Sequence, residues 1–136
     1  MGLPKQMVGS MGLYYVCYEM SRRGWYVLPT TRNTRGVDLV AYNEDWSQSI
    51  TIQVKCLSKA KQAVGFGKEP LKFLADFLIV VEVLLDRGTE PSVYIIPKHA
   101  IEPLINIDGA GNVWIEHKRW AQPKFQNNWS VLEEKG

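Results

Sequence analysis

Three polar side chains interrupt two apolar stretches of this chain in a way that can do chemistry. Asp38 lies in Gly36-Val37-Asp38-Leu39-Val40, and Gln53 and Lys55 lie in Ile50-Thr51-Ile52-Gln53-Val54-Lys55. An acid on one strand and an amide and a lysine two apart on the next can hold a divalent metal against a phosphodiester. Hydrolysis of that bond needs water activated and charge stabilised on the phosphate. Asp38 is the best candidate ligand, because magnesium favours one or two carboxylates plus waters and phosphate oxygens. Gln53 offers a carboxamide oxygen that can touch a metal without adding charge. Lys55 is a compact cation able to stabilise charge on a phosphate and orient the attacking water.

The elements that must position these groups can be read from alternation. Residues two apart on a strand share a face. Ile50, Ile52 and Val54 therefore point one way, and Thr51, Gln53 and Lys55 the other. Between the strands, Asn43-Glu44-Asp45-Trp46-Ser47-Gln48 is rich in turn formers and reads as a hairpin loop. Pairing residue 43 with 48 brings 42 opposite 49 and 38 opposite 53. Asp38 and Gln53 then become direct neighbours with Cβ atoms roughly 4.5–5.5 Å apart, and Lys55 follows one step on. The same register places Val37, Leu39 and Ala41 with Ile50, Ile52 and Val54 on the apolar face, and a slip of one residue destroys both sets. The alternative is a polar strand face turned to water, as half-buried antiparallel strands often have.

Around this hairpin, residues 8–23 read as a helix, with Leu13, Val16, Cys17 and Met20 at helical spacing and Gly24 as terminator. A strand follows at 25–28, then a polar, basic loop from Pro29 to Arg35. Strands are expected at 37–42 and 49–56, a mobile loop at 57–68 and a short helix at 71–75. Strands at 77–85 and 92–96 come next, the first covered on both faces. Residues 99–105 are helix-like, 113–116 a strand, and the tail from Lys124 to Glu134 helical, packing through Phe125, Trp129 and Leu132. This order predicts a mixed α/β sheet with helices on its faces.

At 136 residues the chain is long enough for one domain spanning 1–136 with a sizeable core. Its net charge of +2 does not by itself argue for a nucleic-acid partner, so local clusters matter more. Arg22-Arg23, Arg32 with Arg35, Lys55 with Lys59 and Lys61, and Lys118-Arg119 are such clusters; each also reads as a solvated surface. Arg32 and Arg35, ahead of Asp38, and Ser58 and Lys59, after Lys55, are the candidate phosphate contacts. Cys17 and Cys56 do not form a metal-type pair and read as free thiols of a reducing cytoplasm. His99 and His117 lack zinc spacing. No apolar run behind Met1 marks a signal peptide, and no stretch reaches the roughly 20 apolar residues of a membrane span.

These residues resemble the PD-(D/E)xK nuclease superfamily, the restriction-endonuclease-like fold shared by restriction enzymes and archaeal Holliday-junction resolvases. Gly36-Val37-Asp38-Leu39-Val40 stands at its metal-binding aspartate, Gln53-Val54-Lys55 at its (D/E)xK tripeptide, and the helix closed by Gly24-Trp25 at its opening αβ unit. The resemblance runs from the first helix to about Val83. It implies an αβββαβ core, Mg2+ or Mn2+ as cofactor, and DNA as substrate. It places the metal on Asp38, Gln53 and the main-chain carbonyl of Val54, with Lys55 against the scissile phosphate. A further acid often comes from the first helix in this superfamily. Glu19 is the one acid there, and it reads equally as a solvent-facing glutamate. Gln53 departs from the usual acid, although some active members carry glutamine. A homodimer is expected of a small nuclease that must cut both strands, and the short length leaves room for a protein partner that supplies specificity. Two other readings stay open: a nucleic-acid-binding domain that has lost catalysis, and a protein-interaction domain of the same fold.

Overall fold

The computed structural model describes residues 2–31, 36–88 and 90–134. Helix α1 (Lys5–Ser21) leads into strands β1 (Tyr26–Pro29), β2 (Leu39–Tyr42) and β3 (Ser49–Leu57). These are followed by β4 (Val64–Lys68), β5 (Phe77–Glu82) and β6 (Ser92–Pro97), then β7 (Ile105–Ile107), β8 (Asn112–Ile115) and the single turn α2 (His117–Trp120). Five strands form a mixed sheet in the order β1-β2-β3-β5-β6, and three form a second sheet in the order β4-β8-β7. Within the first sheet only β3 and β5 run parallel.

The β2–β3 register follows from alternation as expected. Tyr42 pairs with Ser49 and Leu39 with Ile52, and the Asn43 N–H donates to the Gln48 carbonyl to close the loop. Leu39, Ala41, Ile50 and Ile52 are fully buried and meet Val16 and Met20 of α1, with Ile79, Val81 and Ile95 continuing that layer. On the opposite face of β5 and β6, Leu78, Val80 and Ile96 pack against Val64, Ile115, Ile101, Leu104, Trp120 and Phe125. Strand β5 is therefore covered on both faces, which is why Leu78 to Val81 reads as an unbroken apolar run.

Several local expectations are corrected. No helix forms at 71–75. The exposed and covered residues alternate there, with Lys72 and Leu74 out and Phe73 and Ala75 in, which is an extended pattern, and five residues are too few to sustain a helical nucleus. The parallel connection from β3 to β5 instead carries β4, inside the stretch expected to be a loop. The αβββαβ order thus lacks its second helix, and the face expected to be helix-covered is covered largely by the second sheet. In place of a helix at 99–105 there are two short 3-10 turns, Lys98–Ala100 and Glu102–Leu104, divided at Ile101, and β7 begins at Ile105. The tail is helical only as 3-10 turns (Pro123–Phe125 and Trp129–Glu134), but Phe125, Trp129 and Leu132 are buried as expected.

Gly12 sets how closely α1 approaches the sheet. A Cβ at this position would lie 2.5 Å from Cys56 Cβ and 2.7 Å from its Sγ. Gly12→Ala gains up to about 1 kcal/mol of helix propensity. The clash falls on a Cβ beside backbone rather than on a flexible tip, so overpacking of about 1–3 kcal/mol wins. Urea denaturation is expected to show net destabilisation, partly relieved by adding Cys56→Ala.

Candidate active site at the fork of β2 and β3

Strands β2 and β3 stop pairing at Leu39, and the chain before it turns away. The Asp38 N–H donates at 2.8 Å to the carbonyl of Ile52, the residue already paired with Leu39, so Asp38 does not pair with Gln53 as the alternation predicts. Thr30 Oγ1 donates to the Val37 carbonyl at 2.6 Å, and Gly36 adopts φ +82, a backbone state costly for other residues. The Asp38 side chain continues the ladder in place of the departed strand: its Oδ2 accepts the Val54 N–H at 2.7 Å. In an extended strand the N–H and C=O of one residue face the same edge. The Val54 carbonyl therefore opens toward the fork as well.

Asp38 and Val54 line a cleft of about 260 Å³ together with Gln6, Gly9, Ser10 and Leu13 of α1. Asp38 and Lys55 are both half-buried. Burial pushes the Asp38 carboxyl up from its ordinary value, against the Val54 hydrogen bond and the Lys55 charge, which pull it down. Burial pulls the Lys55 ammonium down, opposed by the Asp38 charge. The two groups sense each other, yet among the described residues no ion pair joins them. Lys55 Nζ instead sits 5.3 Å from the centre of the Phe66 ring on β4. Gln53 reaches under the Gly36 turn, its Oε1 3.5 Å from where a Cβ on Gly36 would stand.

The donor set fits a hard cation in a minimal way: one carboxylate, one carboxamide oxygen and one main-chain carbonyl, with the remaining positions left to water and phosphate oxygens. Among the described residues no group of three or more His, Cys, Asp or Glu side chains is placed to hold a metal.

Glu19 does not join this cluster. It lies nine residues beyond Ser10, about 13 Å along the helix, where Arg22 Nε and Arg23 Nη1 both donate to its Oε1. Arg23 also stacks on the Trp129 ring at 4.5 Å from its centre. Glu19 is thus a packing anchor for the tail. Burial works against its charge, but the two guanidiniums prevail and hold its carboxyl below the usual value. A depressed folded value makes the charge stabilising above the unfolded pKa, and that stability is lost as pH falls through the folded value. Glu19→Gln is expected to lose about 1–3 kcal/mol in urea denaturation, with the deficit shrinking toward acid pH.

Arg32 and Arg35 lie outside the described residues. Ser58 and Lys59 sit beyond the end of β3 and line a second cleft, of about 500 Å³, with Lys5, Val8 and Gln62. Both clefts are bounded by the first half of α1, the one with Asp38 through Gln6, Gly9, Ser10 and Leu13 and the one with Lys59 through Lys5 and Val8. Reading the sequence alone misses Lys5, Gln6 and Ser10. Their one signal there is position: they are the polar residues of the first helical turns, the end of α1 that meets the fork. A larger cleft of about 580 Å³ lies elsewhere, at Asp76, Lys98, His99, Glu102 and Glu134. Both cysteines are free, and among the described residues no helix is long and apolar enough to cross a membrane. No family model, curated protein or solved structure matches this chain.

Proposed function

We propose that this protein is a metal-dependent endonuclease with a restriction-endonuclease-like core, hydrolysing phosphodiester bonds in DNA. The observation that carries the reading is the Asp38 carboxylate turned onto the Val54 main chain where β2 and β3 part, with the Lys55 charge near enough to pull the Asp38 carboxyl down. Bound Mg2+ or Mn2+ would supply an activated water and charge neutralisation there. Asp38, Gln53 and the Val54 carbonyl are the groups that would hold the ion. Lys55, drawn out of bulk water and unpaired with Asp38, is kept available for a phosphate oxygen. Lys5 and Lys59 extend a positive track for the flanking backbone. The free thiols fit a reducing compartment such as the cytoplasm.

Nicking of supercoiled plasmid in Mg2+ or Mn2+ tests this. Wild type is expected to relax the plasmid and Asp38→Ala to fail. Absence of nicking by wild type, or equal nicking by the variant, sinks the proposal. A second reading, a DNA-binding domain without turnover, draws on Gln53 in place of an acid and on Asp38 being the one acid among the described residues that line the cleft. Salt-dependent binding without nicking would select it.

A further inference from the structure

Strand β4 breaks its register at one point. Val64 faces Ile115, Gly65 faces Trp114 and Lys68 faces Asn112, so Phe66 and Gly67 together oppose the single residue Val113. This is a β-bulge, a device that re-aims a side chain. Gly67 takes φ +78, and a Cβ there would meet nothing within 4 Å. The backbone conformation, not crowding, calls for glycine. The bulged residue meets β3. Lys55 pairs with Val80, and Val80 packs in the layer between the two sheets, which Phe66 and Phe73 also border. Phe66 touches Phe73 edge-on, ring centres 6.4 Å apart, and carries the Lys55 Nζ 5.3 Å from its own centre. Asp38 is the carboxylate whose charge reaches Lys55, yet the ammonium lies against a neutral ring.

We propose that Phe66 is a positioning residue of the fork: its ring holds the Lys55 ammonium off the Asp38 carboxylate, so that the carboxylate stays open to a cation and the ammonium to a phosphate oxygen. The inference rests on the nuclease reading of the fork. A direct Lys55–Asp38 ion pair would neutralise both groups, and an entering ion would have to displace the ammonium. A ring face attracts an ammonium without bringing a charge of its own. In a partly desolvated site that attraction is at least equal to a solvent-screened ion pair. A phosphate oxygen offers the ammonium a charged acceptor, which is the stronger partner, so the ring releases it when substrate arrives. The second sheet thereby does more than cover β5: through the bulge it sets where Lys55 waits.

Crystal structures of Phe66→Leu and Phe66→Tyr test the placement. Leucine keeps the apolar contact but has no ring face; tyrosine keeps the face. In Phe66→Leu the Lys55 Nζ should lie within about 4 Å of an Asp38 oxygen, and in Phe66→Tyr it should stay over the ring. Calorimetric titration with Mn2+ reads the consequence. Phe66→Leu should bind about tenfold more weakly and Phe66→Tyr like wild type. Phe66→Leu combined with Lys55→Met should bind like Lys55→Met alone, since lost packing is not relieved by removing Lys55. If Phe66→Leu fails to fold, Phe66→Met takes its place, being unbranched and adaptable. Lys55 staying apart from Asp38 in the variant without the ring overturns the proposal. So does Mn2+ binding by that variant as tight as a measurable wild-type value. A wild type that binds no Mn2+ removes the metal site instead, and the position of Lys55 still decides whether Phe66 holds it.

Discussion

Lys55→Met is expected to abolish detectable nicking while leaving the fold at least as stable as wild type. Removing one positively charged group aimed at developing charge in a catalytic site typically lowers turnover about 10²–10³-fold. The stability half follows from the sign of the pKa change. Burial lowers the Lys55 value, so the folded protein disfavours the charged form, and the charge weakens the fold at neutral pH. Methionine keeps the unbranched stem against Phe66 and removes that penalty. A cation retained at a loss to stability is what a functional site predicts and a merely solvated lysine does not. Thermal denaturation and plasmid nicking of the same preparation check both halves. A large loss of stability, or retained nicking, contradicts the assignment.

Gln53→Glu is expected to strengthen ion binding by about tenfold or more and to raise cleavage at low metal concentration. The substitution restores a second carboxylate beside Asp38, and ion affinity rises with ligand charge. The two carboxylates also repel. Without metal each pushes the other's pKa up, so the metal-free variant should melt below wild type at neutral pH. Divalent cations bind the folded form and should return its melting temperature to or above the wild-type value. Calorimetric titration with Mn2+ and melting with and without the ion measure the two effects. If Gln53→Glu changes neither, Gln53 does not face the ion, and the fork is not a metal site in this register.

The hairpin was legible because strand alternation is a rigid rule. Once Asn43 and Gln48 close the loop, Leu39 has no partner but Ile52, and Leu39, Ala41, Ile50 and Ile52 fall together on the buried side. The buried run at Leu78 to Val81 announced a strand covered on both faces for the same reason. The crossover was not legible. Leu71 to Ala75 holds good helix formers, but their fate is set by the second sheet, where Phe73 packs edge-on against Phe66 of β4. Strand β4 escaped notice because Gly65 and Gly67 carry no side-chain pattern; it exists by pairing with β8, about fifty residues away in sequence. Glu19 misled for a related reason. A sequence names the acids on a helix but not which turn of that helix meets the fork, and the first turns, with Gln6 and Ser10, do. Arg22 and Arg23, which stand in the sequence as one more basic cluster, turn out to be the partners that hold Glu19 away from any such role.

The central claim is one ion position where β2 and β3 part. Crystals soaked in Mn2+ test it most directly, through the anomalous signal of the metal. The account predicts a peak touching the Asp38 carboxylate and the Val54 carbonyl, absent in crystals of Asp38→Ala. Density confined to other parts of the surface, with Asp38 still accepting only the Val54 N–H, would contradict it.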